Sequence, residues 1–209
     1  MILMYHKIDI VTPSRWWVSV ETFERQVSDL LGREYEFVHL DDYELKNKNH
    51  VALTFDDAYE NNYHHAFPFL SAHSIPFEIF LMGDLLGKWN DFDTREMKTR
   101  FCSLSHLKQM VDGGARLQWH TRTHAQLPYL SDAEISKELT VNPELADQFP
   151  APHFNWFAYP SGMHDQRSVD IVSERFCGAL SVDHGTDDDR FQLNRVTVDE
   201  NWRLPGTNP

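Results

Sequence analysis

Cysteine is scarce in this chain: Cys102 and Cys177 are the only two among 209 residues, and they form no Cys-x-x-Cys pair. Two isolated thiols in a chain this long read most simply as buried side chains, with a single disulfide left open. Basic residues are also outnumbered, 19 Lys and Arg against 32 Asp and Glu, for a formal net charge of −13. They are scattered rather than clustered, so the positive footprint that nucleic acid or an anionic membrane surface requires is absent. The same charge disfavours a strongly acidic polysaccharide as substrate. No apolar run approaches the ~20 residues of a membrane helix. No Gly-x-x-x-x-Gly-Lys-Ser/Thr occurs, which removes phosphate-loop nucleotide binding, and no His-Glu-x-x-His occurs either. Internal repeats, low-complexity tracts and linkers are missing, so one domain over residues 1–209 is expected. His6, Lys7 and Asp9 come too early for a signal-peptide apolar region. The expected location is therefore cytoplasmic, or extracytoplasmic if an export signal has been trimmed.

What the chain does have is apolar material, 41% hydrophobic and 13% aromatic, enough for a sizeable core. Short apolar runs at Met1–Tyr5, Phe37–Leu40, Val51–Phe55, Phe77–Met82, Arg116–Trp119, Phe154–Ala158, Ala179–Val182 and Arg195–Val198 read as strands. Between them, Val20, Phe23, Val27, Leu30 and Leu31 mark one helix face. Ser131-Asp-Ala-Glu134 is a capping box opening a helix with Ile135, Leu139 and Leu145 on a common face. Leu104–Val111 and Ser168–Phe176 are further helices. Repeated strand–helix alternation predicts an α/β fold on a parallel sheet, and seven or eight strands in ~200 residues suit a barrel. Loops Val11–Ser19 (with Trp16 and Trp17) and Gly83–Phe101 (with Trp89 and Phe92) bring aromatics that either stack on a ligand or plug the barrel mouth.

Two segments carry chemistry. Val51-Ala-Leu-Thr-Phe-Asp-Asp-Ala-Tyr59 ends an apolar run on adjacent carboxylates, and Trp119-His-Thr-Arg-Thr-His124 ends another on two imidazoles four positions apart. One carboxylate and two histidines can hold a divalent metal and leave positions open. The other carboxylate is then free to act as a base on water. Asp56, Asp57, His120, Tyr159 and His184 all follow predicted strands, where barrel active sites are built.

These segments resemble the motifs of the polysaccharide deacetylases (NodB-homology, family-four carbohydrate esterases). Leu53-Thr-Phe-Asp-Asp-Ala-Tyr59 is similar to the first motif and His120-Thr-Arg-Thr-His124 to the second. Phe157-Ala-Tyr-Pro-Ser-Gly162 is similar to the third, in the Tyr-Pro-x-Gly form of one branch, and Leu3-Met-Tyr-His-Lys-Ile8 to that branch's first strand. The resemblance runs from about Met1 to Val198. It implies a distorted, incomplete (β/α) barrel and hydrolysis of N-acetyl, or O-acetyl, groups on an amino sugar or glycan. It further implies a divalent ion, zinc first and cobalt or nickel as alternatives, held by Asp57, His120 and His124, with Asp56 as general base. The backbone N–H of Ser161 would stabilise the oxyanion. His184, with Val182 at the Leu position of a Leu-x-His motif, would be the general acid, with His6 and His164 as lesser candidates. Two departures stand out. Ala158 occupies the place of the arginine that partners the base in the common Arg-x-Pro-Tyr form, and the Asp-x-x-Asp-Trp tethering motif is absent. Two further readings stand beside this one: a non-catalytic carbohydrate-binding descendant of the fold, and a non-haem iron oxygenase using a two-His, one-carboxylate triad. The particular glycan, the metal and the oligomeric state are not specified by these residues.

Overall fold

The computed structural model describes residues 1–182 and 188–204. Among these residues are ten strands: β1 (Ile2–Tyr5), β2 (Lys7–Asp9), β3 (Trp17–Ser19), β4 (Glu36–Phe37), β5 (His50–Asp56), β6 (Phe77–Leu81), β7 (Ala115–Trp119), β8 (Trp156–Ala158), β9 (Gly178–Leu180) and β10 (Val196–Thr197). The main sheet runs β10-β1-β5-β6-β7-β8-β9, with β4 beside β5, and every strand pair is parallel. It curls into the expected incomplete α/β barrel. The α-helices among the described residues are α1 (Val20–Gly32), α2 (Glu60–Ala72), α3 (Leu104–Asp112), α4 (Asp132–Glu138), α5 (Pro143–Gln148) and α6 (Gln166–Ser173).

Period-two alternation sorts the strand side chains between two cores. Leu3, Tyr5, Val51, Leu53, Phe55, Phe77, Ile79, Leu81, Leu117, Trp119 and Phe157 pack outward beneath the helices. Ile2, Ala52, Phe80, Trp156, Ala158 and Leu180 fill the barrel interior. By the same parity, His6 after β1, Asp56 at the end of β5 and His120 after β7 belong to the inner face, at the carboxyl ends of parallel strands. At the opposite end the fully buried Glu78 carboxylate closes the interior, accepting hydrogen bonds from the Leu40 amide (3.0 Å) and Gln118 Nε2 (2.8 Å).

Seven of the eight predicted strands are present at their expected places and the eighth only in part, and several elements depart from expectation. Phe37–Leu40 is mostly not strand: pairing stops at Phe37, and Leu40–Asp42 is a 3₁₀ turn. The helix expected to carry Ile135, Leu139 and Leu145 is two helices, because Pro143 has no amide to continue the first and starts the second at its first turn. Helix α2 was not anticipated, since polar Asn61 and Asn62 occupy buried positions that an apolar stripe would normally fill. Asn62 fills its place by bonding: its Oδ1 accepts the Ile8 amide and its Nδ2 donates to the His6 carbonyl. The small β2–β3 pair was also unanticipated. Of the two thiols, both free, Cys102 is buried as expected but Cys177 is exposed.

Candidate active site

The mouth of the barrel contains a cavity of about 310 Å³, lined by His6, Asp56, Asp57, His120, His124, Tyr159 and Ser161 together with Trp16 and Phe92 from the two loops. The sequence-predicted metal ligands converge there. One ligand atom from each of Asp57, His120 and His124 lies within 4.8 Å of the others. Asp57 Oδ1 is 3.6 Å from His120 Nε2 and 3.7 Å from His124 Nε2, and this buried oxygen has no hydrogen-bond partner. A buried carboxylate oxygen left without a donor is costly unless a cation completes it. His120 is oriented for that role. Its Nδ1 meets the Ala158 carbonyl at 2.7 Å; since a carbonyl only accepts, Nδ1 carries the proton and Nε2 offers its lone pair to the cluster. The residues present therefore fit a divalent ion with mixed nitrogen and oxygen donors.

Backbone strain is concentrated here. Among the described residues eight that are not glycine have left-handed φ, and five of them are Asp57 (69°), Ala58 (56°), Thr121 (64°), His124 (66°) and Ser161 (57°). Such conformations are sparsely populated by L-residues and persist where surrounding structure enforces them. In the first motif the φ reversal at Asp57 breaks the strand's alternation. Asp56 thus stays on the inner face while Asp57 turns toward the histidines.

Asp56 meets a partner that the sequence reading missed. Arg195 donates from Nη1 to Oδ1 at 2.6 Å and from Nη2 to Oδ2 at 2.7 Å, a two-pronged ion pair. The guanidinium is held in turn by the Ser181 carbonyl (Nε, 3.1 Å) and Thr54 Oγ1 (Nη1, 3.2 Å), and it is completely buried. Burial alone would raise the Asp56 carboxyl's pKa. Arg195 above all, with His120 and His6, overrides it and holds the group well below the usual carboxylate range. The arginine absent at Ala158 is thus replaced from just before β10, by a residue 139 positions from Asp56 in sequence. A charged residue heading an otherwise apolar predicted strand was the available signal.

The remaining candidates divide. Ser161 lines the cavity on a left-handed turn, and Gly162 follows with φ +69°, where an added Cβ would sit 3.0–3.1 Å from Val182. His6 lines the cavity, its ring tilted against Trp16 at 4.6 Å, and burial pushes its pKa down against the pull of Asp56 and Asp57. His120, more deeply enclosed, is pushed to about 4, chiefly by burial. His164 is not brought to the site. It bonds the Gly162 carbonyl and Gln192 Oε1 and packs on Tyr159. His184 lies outside the described residues. Of the loop aromatics, Trp17 is buried, its Nε1 donating to Glu96. Phe92 stacks on His124 at 4.9 Å, and Trp89 faces a separate groove.

Fold and site together define a class: an incomplete parallel barrel whose carboxyl mouth holds an Asp-His-His cluster beside a second, arginine-paired carboxylate. Residues 44–175, more than half of the sequence, match the polysaccharide deacetylase family, and the chain belongs to that family. It is 25% identical over 212 residues to the protein YxkH of Bacillus subtilis (strain 168), covering 94% of this chain and 70% of that one. Its backbone superposes on BC0361, a polysaccharide deacetylase from Bacillus cereus, with a TM-score of 0.79 at 25% identity, covering 96% of this chain and 65% of that one. It shares its fold with the Streptococcus pyogenes deacetylase PplD, solved in complex with acetate (TM-score 0.80, 23% identity, coverage 96% and 92%). The chain thus spans about two thirds of the length of the Bacillus relatives.

Proposed function

We propose that this protein removes N-acetyl groups from an amino sugar, free or within a glycan, with a divalent ion, zinc first, bound by Asp57, His120 and His124. The observation that carries the reading is the buried, partnerless Asp57 Oδ1 facing two imidazole nitrogens beside a separate carboxylate. When bound, the ion supplies Lewis acidity, acidifying the attacking water and polarising the acyl oxygen. Asp56 accepts the water's proton. Its ion pair with Arg195 keeps it ionised and aims it, at the cost of making it a weak base that depends on an acidified water. The Ser161 amide, presented by the left-handed turn, is the chain's own donor to the oxyanion.

His6 is the proposed proton donor to the leaving amine, because it is the one histidine outside the ligand set among the described residues lining the cavity. Its lowered pKa leaves it neutral near pH 7, so it must take up during the reaction the proton it donates. Trp16 and Phe92 offer apolar faces to a sugar ring, and a 310 Å³ cavity lies at the small end of ligand sites, which favours one sugar residue at the reacting position.

The test is acetate release from a panel of N-acetylated sugars, with metal analysis on the same preparation and on Asp56→Asn. The reading requires one divalent ion per chain in both proteins. It also requires acetate release from at least one amide by the wild type, reduced ~10²–10⁴-fold in the variant. A metal-replete wild type inert on every amide would sink it, and loss of the ion in Asp56→Asn would make Asp56 a ligand.

A further inference from the structure

His120 and His124 are joined by Thr121-Arg-Thr123, so the distance between the two imidazoles is set by that loop's backbone. The φ angles at Thr121 and at His124, where the loop ends, are left-handed, and a short segment does not hold such angles unaided. Glu138, the last residue of α4, supplies the hold. Its Oε2 accepts the amides of Arg122 (2.9 Å) and Thr123 (3.1 Å), and its Oε1 accepts the Thr123 hydroxyl at 3.0 Å. Its own carbonyl accepts Trp119 Nε1 at 2.9 Å. One residue therefore grips both the end of β7 and the ligand loop.

Helix stability does not account for this carboxylate. An acid in the last turn faces the negative end of the helix dipole and weakens the helix that carries it. The cost is offset at the other end, where Ser131 and Glu134 form the reciprocal capping box expected from sequence. By fixing where α4 starts, that box also fixes where Glu138 arrives. From the opposite side, Asp84 after β6 accepts the Arg122 guanidinium (Nη2 to Oδ1, 2.8 Å) and its amide donates to the Arg122 carbonyl at 2.9 Å. The loop is thus clamped from two elements, and Glu138 is the member that bonds its backbone amides.

We propose that Glu138 is a positioning residue for the metal loop, holding His120 and His124 at ligand separation before any ion arrives. The inference rests on the metal reading above. Supporting groups one step removed from an ion typically change its affinity 10–100-fold when removed. Zinc dissociation constants are therefore to be measured on the full chain by competition with a chromogenic chelator. Wild type, Glu138→Gln, Glu138→Ala and the neighbouring control Lys137→Ala are compared, with amide exchange at Arg122 and Thr123 in the metal-free proteins. Glu138→Ala is expected to weaken zinc 10–100-fold and to speed exchange at those two amides, while Lys137→Ala behaves as wild type. Glu138→Gln, which keeps one acceptor oxygen and the same shape, should fall between. Should Glu138→Ala not fold, Glu138→Gln alone carries the test. Zinc affinity unchanged in the folded Glu138 variants would overturn the proposal, as would a general rise in exchange without selective change at Arg122 and Thr123. A wild type that binds no zinc defeats the metal reading and this inference together; a wild type that binds, with variants equal to it, defeats this inference alone.

Discussion

Asp56 and Asp57 are adjacent and chemically identical, and their surroundings separate them. Asp56 keeps the strand's alternation and faces a buried guanidinium, whereas Asp57 takes φ +69° and presents a partnerless oxygen to two histidines. Removing one member of a buried ion pair costs about 3–5 kcal/mol, because the other charge stays buried. Arg195→Lys tests the pair with less damage: the charge remains but the two-pronged geometry is lost. Arg195 lowers the Asp56 pKa while burial raises it, so weakening the pair must move that pKa upward. The acid limb of kcat/KM should therefore shift to higher pH, with metal content unchanged. An acid limb that does not move would remove Arg195 from the base's control. The proton donor is tested through the leaving group. His6→Ala should damage amide hydrolysis far more than hydrolysis of an activated aryl acetate, whose leaving group needs little protonation. Running His184→Ala in parallel decides between the two: a differential loss there, with His6→Ala affecting both substrates equally, would transfer the role to His184.

At the scale of elements, the site is assembled from turns that follow strands, and these turns were the legible part of the sequence. An apolar run ending in Asp-Asp or in His-x-x-x-His locates a strand end and its ligands together, because burial and chemistry write the same residues. Long-range partners leave no such local trace. Arg195 reaches Asp56 across 139 positions, and α2 packs one of its buried asparagines, Asn62, by bonding the backbone of His6 and Ile8 rather than through an apolar stripe. The third motif shows how far a turn's geometry is fixed. Gly162 sits at φ +69° with Val182 against the place a Cβ would take, so Gly162→Ala meets both strain and overlap. It is expected to destabilise the fold by about 1–3 kcal/mol and, by moving the Ser161 amide, to lower kcat while zinc binding persists. Denaturation and steady-state kinetics on the same preparation check both halves. A variant with wild-type kcat would separate this turn from the oxyanion.

Across the whole molecule, the barrel that buries the site's imidazoles also makes it sensitive to acid. Burial holds His120 neutral down to about pH 4, whereas an unfolded histidine takes up its proton near pH 6.5. Between those values the unfolded chain binds more protons than the metal-free folded one, so folding free energy falls as pH falls. Over about 2.5 pH units, at 1.36 kcal/mol per unit for one proton, His120 alone accounts for roughly 3 kcal/mol, and His6, shifted in the same direction, adds to it. The Asp56–Arg195 pair acts in a different window. A depressed carboxylate contributes fully above its unfolded value near 3.9 and loses that contribution only at lower pH. Urea denaturation of the metal-free protein should therefore show stability falling from pH 6.5 toward 4, above the range in which the Asp56–Arg195 pair loses its contribution. In His120→Gln, which removes the titrating ring, the slope over that interval should flatten. Saturating zinc, which requires the neutral imidazole and binds the folded site, should raise stability most at neutral pH and lose its effect as protons compete for the ring. If metal-free wild type and His120→Gln lose stability in parallel through this interval, the buried imidazole is not the source of the acid sensitivity.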